Sequence, residues 1–216
     1  MEEQFWQNRW KSNQIGFHKP TPNPLLTRNF PALQLPVGAR VFVPLCGKSL
    51  DVHWLLAQGC RVVGAELSQL AVEQLFGDLG LAPSITAHGS LQRYEAETLT
   101  VFQGSLFDLT REMLGAVDAV YDRAALVALP EPMRAQYVPH VLALTADAPQ
   151  MLICFDYDQS CTDGPPFSVD ADEVHRRYAT TYSVTLLERV SGELLKGRCP
   201  ADETVWLLQA SVSTTR

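Results

Sequence analysis

The chain has 216 residues, of which 46% are hydrophobic and 19% charged, and 24 acidic against 17 basic residues give a formal net charge of −7. This length and composition predict one globular domain with a sizeable core. The acidic balance disfavours a general nucleic-acid binder, because phosphate contacts need a basic face. The N-terminal sequence lacks the basic and apolar regions of a signal peptide, and no apolar run reaches membrane-spanning length, so we expect no membrane partner.

The cysteines and histidines show no pattern of a disulfide framework or a metal site. Neither a C-x-x-C pair nor an H-E-x-x-H motif occurs. The cysteines are odd in number and widely spaced: Cys46, Cys60, Cys154, Cys161 and Cys199. We therefore expect no metal and a reducing, cytoplasmic environment. Nothing in the sequence indicates an oligomer interface, so a monomer is expected.

Residues 1–35 differ in character from the rest of the chain. Three aromatic residues, Phe5, Trp6 and Trp10, lie on a helical pattern that should end near Lys11. The prolines of residues 20–24 then force an extended or turning path. Taken by itself, the aromatic pattern favours an amphipathic helix that packs on the core. We divide the single domain, 1–216, into this N-terminal segment and a core of residues 36–216.

The core alternates between strand and helix signals. Runs of β-branched or aromatic residues, bounded by turn residues, predict strands at 40–44, 61–65, 98–103, 117–121, 150–156, 183–190 and 203–210. Two one-sided apolar rows predict helices between them: Val72, Leu75, Phe76 and Leu79, and then Met133, Tyr137, Val141 and Leu144. This alternation predicts an α/β fold with a mostly parallel, seven-stranded sheet and helices on both faces.

The last two predicted strands have no convincing helix between them. Residues 191–202 contain two glycines and a proline, so these strands should form a C-terminal antiparallel hairpin at the sheet edge. Five β-α units followed by such a hairpin are typical of a Rossmann-like methyltransferase. A nicotinamide dehydrogenase would instead end in further parallel units.

The turn after the first predicted strand, residues 44–49 (Pro-Leu-Cys-Gly-Lys-Ser), has several interpretations. A phosphate-binding P-loop needs glycine at position 42, where this chain has Phe42 inside a strand. A dinucleotide site needs G-x-G-x-x-G, which the lone Gly47 does not supply. S-adenosylmethionine has no phosphate and tolerates a loop with less glycine. Taken alone, the turn supports that cofactor and an ordinary strand–helix turn about equally.

Glu66 ends the second predicted strand, about 20 residues after the glycine turn. An acid at this place meets a ribose hydroxyl in nucleoside-binding α/β folds, and a carboxylate can accept both ribose hydroxyl protons. The alternative is a surface acid that caps the next helix. Together with the upstream turn, Glu66 favours the ribose interpretation.

Asp108 follows the third predicted strand. It could accept a hydrogen bond from an adenine amino group while Phe107 or Leu106 packs on the ring. Equally, Asp108 could cap a short helix at 109–114. The sequence leaves these two interpretations open.

Asp122 and Arg123 end the fourth predicted strand, in the crevice where open α/β sheets bind ligands. The alternative is a local ion pair of little energetic worth. Adjacent side chains on a strand or turn diverge in direction. We therefore expect one of the two to face the ligand while the other anchors the loop.

These residues resemble the thiopurine S-methyltransferases, a family of class I S-adenosylmethionine-dependent methyltransferases, over nearly the whole chain. The turn at 44–49, with Asp51 after it, is the most specific match, and residues 121–126 (Tyr-Asp-Arg-Ala-Ala-Leu) add independent support. The other matching segments are 5–10 (Phe-Trp-x-x-Arg-Trp), 16–18 (Gly-Phe-His), 64–66 (Gly-x-Glu), 107–109 (Phe-Asp-Leu) and 164–167 (Gly-Pro-Pro-Phe).

The resemblance implies methyl transfer from S-adenosylmethionine, with S-adenosylhomocysteine as product, to the sulfur of aromatic or heterocyclic thiols such as thiopurines. Bacterial relatives, which the compact N-terminus resembles, are also linked to selenium and tellurium compounds. The cofactor-binding residues implied by position are Trp10, Leu45, Gly47, Glu66, Phe107, Asp108 and Arg123. The implied acceptor-pocket residues are Phe17, His18, Pro166, Phe167 and Arg198.

The resemblance further implies that residues 1–35 form a helical and aromatic flap over the active site, with residues 164–167 as the opposite wall. The animal enzymes carry a second arginine in the acceptor pocket. In this chain that role falls to Arg198, to Lys196 or to neither, because the surrounding stretch is shorter and aligns poorly.

Arg123 is the expected catalytic residue, because a permanent cation favours a deprotonated thiol and can orient it. Thiolates are good nucleophiles, so a dedicated base is unnecessary. One alternative is a small-molecule O- or N-methyltransferase, which usually needs a base or a metal near the acceptor. Another is a non-catalytic S-adenosylmethionine-binding sensor, which the presence of both Glu66 and the Asp122–Arg123 pair disfavours.

Overall fold

The computed structural model describes residues 3–194 and 199–210. The α-helices in these residues are α1 (Glu3–Lys11), α2 (Pro24–Asn29), α3 (Leu50–Ala57), α4 (Gln69–Asp78), α5 (Arg111–Leu114), α6 (Glu131–Thr145) and α7 (Ala171–Tyr178). The strands are β1 (Arg40–Pro44), β2 (Arg61–Glu66), β3 (Ser84–His88), β4 (Leu91–Ala96), β5 (Leu99–Gln103), β6 (Ala119–Arg123), β7 (Gln150–Asp156), β8 (Tyr182–Leu194) and β9 (Cys199–Ala210). No helix within the described ranges is long and apolar enough to cross a membrane.

One sheet contains all of these strands, in the order β3-β4-β5-β2-β1-β6-β7-β9-β8. The five central strands run parallel. The other pairs, at both edges, are antiparallel. The α/β fold and the C-terminal hairpin, β8 with β9, are therefore confirmed, and the parallel character is confined to the centre of the sheet.

The predicted strand count of seven is wrong, because the described residues form nine strands. All seven predicted strands are present, and β3 and β4 extend the sheet beyond β5. The sequence hides β3 because this edge strand is short and largely exposed, with Ile85 54% accessible to solvent. Only Ile85 and Ala87 are apolar among its five residues, and so short an alternation is too weak to predict a strand.

Two cores lie on opposite faces of the sheet. Within β1, Phe42 faces the core that α6 and α7 cover, whereas Val41 and Val43 face the core that α3 and α4 cover. This alternation follows from the period of two along a strand. The expectation of helices on both faces is confirmed.

The two predicted apolar helix rows are also confirmed. Residues 72, 75 and 76 of α4 are buried in one core, with Leu79 packed against it at the end of the helix. Residues 137, 141 and 144 of α6 are buried in the other core, with Met133 packed against it. Each row holds its helix on the sheet by burying apolar surface.

The N-terminal segment divides into two parts. Helix α1 lies near the ends of the central strands, whereas α2 and the following 3₁₀ turn, Phe30–Leu33, belong to the core through Leu25, Leu26 and Leu33. The Phe30 ring packs edge-on against Trp54 with 5.2 Å between centroids. Of the predicted flap, residues 1–35, the part from α2 onwards is therefore held in the body of the domain.

Candidate active site

A cavity of about 790 Å³ opens at the carboxyl ends of the parallel strands. Its lining comes from residues 3–19, from the loops after β1, β2, β5 and β6, from α6, and from β7 and the segment that follows it. Open α/β sheets bind ligands at this edge, because the strand ends leave a crevice between diverging loops. Most of the lining is apolar, with a few polar side chains among it, as is usual for a small-molecule site.

The loop after β1 is shaped by two residues with positive φ, Leu45 at 47° and Gly47 at 52°. A Cβ atom at Gly47 would lie 3.2 Å from Cζ2 of Trp10, so the indole of α1 rests on this glycine. Both the backbone angle and the close approach favour glycine here. The structure thus brings Trp10, Leu45 and Gly47, three predicted cofactor-binding residues, together in the cavity wall.

Glu66 lines the same cavity at the end of β2 and is 6% exposed. Its Oε2 accepts a hydrogen bond from the Gly47 amide at 2.8 Å, and its Oε1 accepts one from the Ser68 amide at 2.8 Å. Burial raises the pKa of this carboxyl, while the backbone donors oppose the rise. The helix-capping alternative is wrong, because the Ser68 hydroxyl caps α4 by accepting from the Ala71 amide.

The loop and β2 are held together by a contact that the sequence does not announce. A Cβ atom at Gly64 would lie only 2.7 Å from the Cys46 sulfur, so this thiol fills the space above the glycine. Cys46 is buried, and burial raises the pKa of its thiol. The contact is structural and brings the Gly47 amide within reach of Glu66.

The segment after β5 places Phe107 in the cavity wall but not Asp108. Phe107 is 38% exposed, and its ring centroid lies 5.5 Å from that of His140. Asp108 accepts a hydrogen bond from the Ser90 hydroxyl at 2.7 Å, outside the lining. The capping alternative for Asp108 is wrong as well, because Thr110 caps α5.

Asp122 and Arg123 diverge at the end of β6, as expected. Asp122 is buried and accepts from the Leu126 amide at 3.1 Å and from the Tyr137 hydroxyl at 2.6 Å. Burial raises the pKa of Asp122 to about 6 against the opposing effect of these donors. Arg123 lines the cavity and pairs with Asp51 instead, so Asp122 anchors the loop and the local ion pair does not form.

The predicted acceptor pocket is partly assembled. Phe17, His18 and Pro166 line the cavity beside Arg123. The pKa of His18 is lowered by burial and by the positive charges of Lys48 and Arg123, with Asp78 opposing, so the ring favours its neutral form. Arg198 and Lys196 lie outside the described residues.

Phe167 is not part of the cavity wall. Its ring lies under the Arg134 guanidinium at 5.8 Å, and its amide donates to the Val127 carbonyl at 2.6 Å. The neighbouring Pro165 lines the cavity in its place. Phe167 therefore anchors this wall from behind.

Sequence reasoning assigned no role to several polar residues at or beside the cavity. Lys19 and Lys48 line it, and the carboxylate of Asp51 lies 3.8 Å from the Arg123 guanidinium. Asp51 lies in the first turn of α3, where an acid is common for local reasons. No local signal distinguishes it, because its partners lie far away in the chain.

The model of the thiopurine S-methyltransferase family matches residues 1–209. A protein called thiopurine S-methyltransferase from Gluconobacter oxydans (strain 621H) is 53% identical over 203 residues, covering 94% of this chain and 92% of that protein. A protein of the same name from Xanthobacter autotrophicus (strain ATCC BAA-1158 / Py2) is 53% identical over 212 residues, covering 97% and 99%.

Two solved structures share the fold at low sequence identity. A SAM-dependent methyltransferase from Anabaena variabilis ATCC 29413 has a TM-score of 0.64 and 13% identity, covering 97% of this chain and 95% of that one. The 1,6-didemethyltoxoflavin-N1-methyltransferase of Burkholderia thailandensis, solved with bound 1,6-didemethyltoxoflavin and S-adenosylhomocysteine, has a TM-score of 0.64 and 15% identity, covering 96% of this chain and 87% of that one.

Proposed function

The chain belongs to the thiopurine S-methyltransferase family and is an S-adenosylmethionine-dependent methyltransferase, and from this premise we propose roles for the residues that line its cavity. The reaction is methyl transfer to the sulfur of an aromatic or heterocyclic thiol, of which thiopurines are the family's namesake. S-adenosylmethionine supplies the electrophilic methyl carbon and leaves as S-adenosylhomocysteine.

Glu66 binds the ribose of the cofactor. Each carboxylate oxygen has two lone pairs and each accepts one backbone donor, so capacity remains for the ribose hydroxyls. The apolar side chains of Trp10, Leu45 and Phe107 pack against the rest of the cofactor. The chemistry of this donor set fits a nucleoside without phosphates, since the loop after β1 offers no series of free amides.

Arg123 holds the acceptor. Its charge favours the thiolate over the thiol, and its planar fork of N–H donors orients the acceptor toward the methyl group. Lys19 adds positive charge to the same lining, whereas the charge of Lys48, which also lines it, is paired with Asp78 at 3.7 Å. The single observation that carries this assignment is that Arg123 and Glu66 line one cavity from the ends of β6 and β2, the strands on either side of β1.

Aromatic residues of the N-terminal segment exclude water from the site. The Phe17 ring lies 5.8 Å from that of Trp6 and 5.6 Å from that of Trp10, measured between centroids, and all three line the cavity. This cluster and Pro165–Pro166 form opposite walls. A dry site strengthens the attraction between Arg123 and a thiolate.

A radiolabelled methyl-transfer assay tests the proposal with three acceptors: a thiopurine, thiophenol and catechol. We expect transfer to the sulfur acceptors alone, unchanged by a metal chelator. Arg123→Lys should lower kcat/KM about 100-fold because positioning is lost, whereas Arg61→Lys, at an exposed position at the opposite end of β2, should not. Transfer to catechol would establish the oxygen-methyltransferase alternative. Cofactor binding without turnover on any of the three would favour the sensor or an acceptor of another kind.

Three further expectations stay predictions. Selenium and tellurium acceptors are tested by adding hydrogen selenide and hydrogen telluride, which are already fully reduced, to the same assay without oxygen and collecting volatile methylated products. The monomer is tested by light scattering. A reducing, cytoplasmic location is consistent with the cysteines, all of which are free thiols, and is tested by cell fractionation.

A further inference from the structure

Asp51 is a buried acid whose contacts lead away from its own helix. It lies in the first turn of α3 and is only 2% exposed. The hydroxyl of Ser49 caps this helix by accepting from the Asp51 amide at 3.2 Å. The Asp51 carboxylate instead accepts from the Asn23 amide at 2.6 Å and from the Tyr121 hydroxyl at 2.9 Å. Helix capping therefore does not account for this carboxylate.

The same carboxylate faces the proposed catalytic arginine. Asp51 Oδ2 lies 3.8 Å from Nη1 of Arg123, and both side chains are largely buried. At this distance the two groups attract by charge without using a hydrogen bond. Within the described part of the chain, Arg123 donates no side-chain hydrogen bond to protein, so its donors remain available to a ligand in the cavity.

The second oxygen fixes the end of the N-terminal segment. The backbone N–H of Asn23 donates to Asp51 Oδ1. The side-chain oxygen of Asn23 caps α2 by accepting from the Leu25 backbone N–H at 2.8 Å. Residues 3–19, which contribute to the cavity wall, lead directly into this point. One carboxylate thus connects the segment to the arginine.

Tyr121 and Glu203 complete the surroundings. Burial and the neighbouring Asp51 raise the pKa of Tyr121 well above its usual value, so the phenol stays a donor that fixes Oδ2. Burial also raises the pKa of Glu203 on β9, while the positive charges of Arg123 and Lys19 oppose the rise. Among the described residues, Asp51 is the one carboxylate within 4.0 Å of Arg123.

We infer that Asp51 is a positioning residue for methyl transfer: its carboxylate orients the Arg123 guanidinium toward the acceptor and ties Asn23 to the same point. The inference rests on the role proposed above for Arg123. Asp51 itself lies outside the cavity lining, so it acts through the arginine.

A double-mutant cycle tests the inference with Asp51→Asn, Arg123→Lys and the double variant, each assayed for kcat and KM with thiophenol. Asparagine keeps the shape and an acceptor oxygen but removes the charge. We expect Asp51→Asn to lower kcat/KM about 100-fold, because a small displacement of a positioning group has this cost. The double variant should be no worse than Arg123→Lys alone, since the two residues act as a unit.

Binding measurements separate positioning from loss of structure. Calorimetric affinity for S-adenosylhomocysteine should stay within about twofold in Asp51→Asn. Affinity of the enzyme–S-adenosylhomocysteine complex for thiophenol should weaken equally in Asp51→Asn and Arg123→Lys. Asp118→Asn is the matched control, because this exposed acid accepts the Arg40 amide at 2.7 Å just before β6, at the other end of that strand. It should change neither quantity.

Tyr121→Phe gives a second variant if Asp51→Asn does not fold. It keeps the charges of Asp51 and Arg123 and removes only the hydroxyl that fixes Oδ2, so about a tenfold loss in kcat/KM is expected. When Arg123→Lys is already present, Tyr121→Phe should cause no further loss. Full activity of Arg123→Lys would disprove the role of the arginine itself. The inference about Asp51 alone would be overturned if Arg123→Lys lost activity but Asp51→Asn did not. It would also be overturned if the losses in kcat/KM of the two single variants multiplied in the double variant.

Discussion

The half of the cavity around Glu66 and the half around Arg123 are held in different ways. Glu66 is fixed by two backbone amides from the loops that follow β1 and β2. Arg123 is fixed by the side chain of Asp51, which depends in turn on Tyr121 and Asn23. Backbone donors come with the fold, whereas side-chain partners come with the particular sequence. The cofactor half should therefore depend on few side chains, and the acceptor half on several.

The substitution Glu66→Gln should produce the largest loss of affinity, and it should affect only the cofactor half. The amide removes the charge and turns one acceptor into a donor that faces a backbone N–H. Loss of charge-assisted hydrogen bonds should cost about 4 kcal/mol, or about 1,000-fold in Kd for S-adenosylhomocysteine by calorimetry. Glu73→Gln, on the exposed face of α4, is the control and should leave Kd unchanged. Equal affinity in both variants would contradict the ribose assignment.

The pH dependence of Asp122 sharpens the comparison on the acceptor side. The folded state raises the pKa of Asp122 to about 6, so folding favours the protonated form. This contribution to the free energy of unfolding is fully present below the pKa that Asp122 has in the unfolded chain. It is lost as the pH rises through about 6. As the pH rises from about 4 to about 7, the difference in free energy of unfolding between Asp122→Asn and the natural chain should therefore shift by roughly 3 kcal/mol in favour of the variant.

Urea unfolding of both proteins at each pH measures this difference. The matched control is Asp118→Asn, whose difference from the natural chain should vary far less over the same range. If the difference in free energy of unfolding between Asp122→Asn and the natural chain did not change with pH, Asp122 would be ionised throughout the range. The hydrogen bonds to its carboxylate would then offset the effect of burial on its pKa.

Gly64→Ala tests whether the cofactor half depends on packing as well as on backbone donors. The new methyl group would collide with the Cys46 sulfur, so the free energy of unfolding should fall by about 2 kcal/mol. Adding Cys46→Ala should restore most of the loss, because the second change removes the colliding atom. Thermal and urea unfolding of the single and double variants measure it. Additive losses would mean that the strand yields elsewhere.

Asp108→Ala should have the smallest effect. Its carboxylate is bonded to Ser90 outside the cavity lining, so the Kd of the cofactor should change by less than about twofold. Phe107→Ala, one residue away and in the wall, should weaken binding by about 1 kcal/mol. A large effect of Asp108→Ala would show that the carboxylate turns toward the adenine in the bound state.

The positions of Gly47 and Glu66 at the cavity are predictable because their signals are local. The turn around Gly47 and the acid at the end of β2 are each recognisable from a few neighbouring residues. The acceptor half depends on contacts between distant parts of the chain, such as Asp51 with Tyr121 and Asn23, and no periodicity reveals them. The same reason explains Phe167, whose partner Arg134 lies on α6.

The fold follows the same rule. The central strands are predicted closely because both faces are buried and the apolar runs are continuous. Strands β3 and β4 are missed because β3 is short and exposed, and β4 buries only Leu91 and Tyr94 among largely polar residues.

The contact of Trp10 with Gly47 has an optical consequence. Trp6 and Trp10 line the cavity, whereas Trp54 packs on Phe30 and Trp206 is buried in the sheet. The fluorescence of Trp6 and Trp10 should therefore respond to a ligand in the cavity, whereas that of Trp54 and Trp206 should not. Loading of the site can be followed as a change in intrinsic fluorescence, without a label and without turnover.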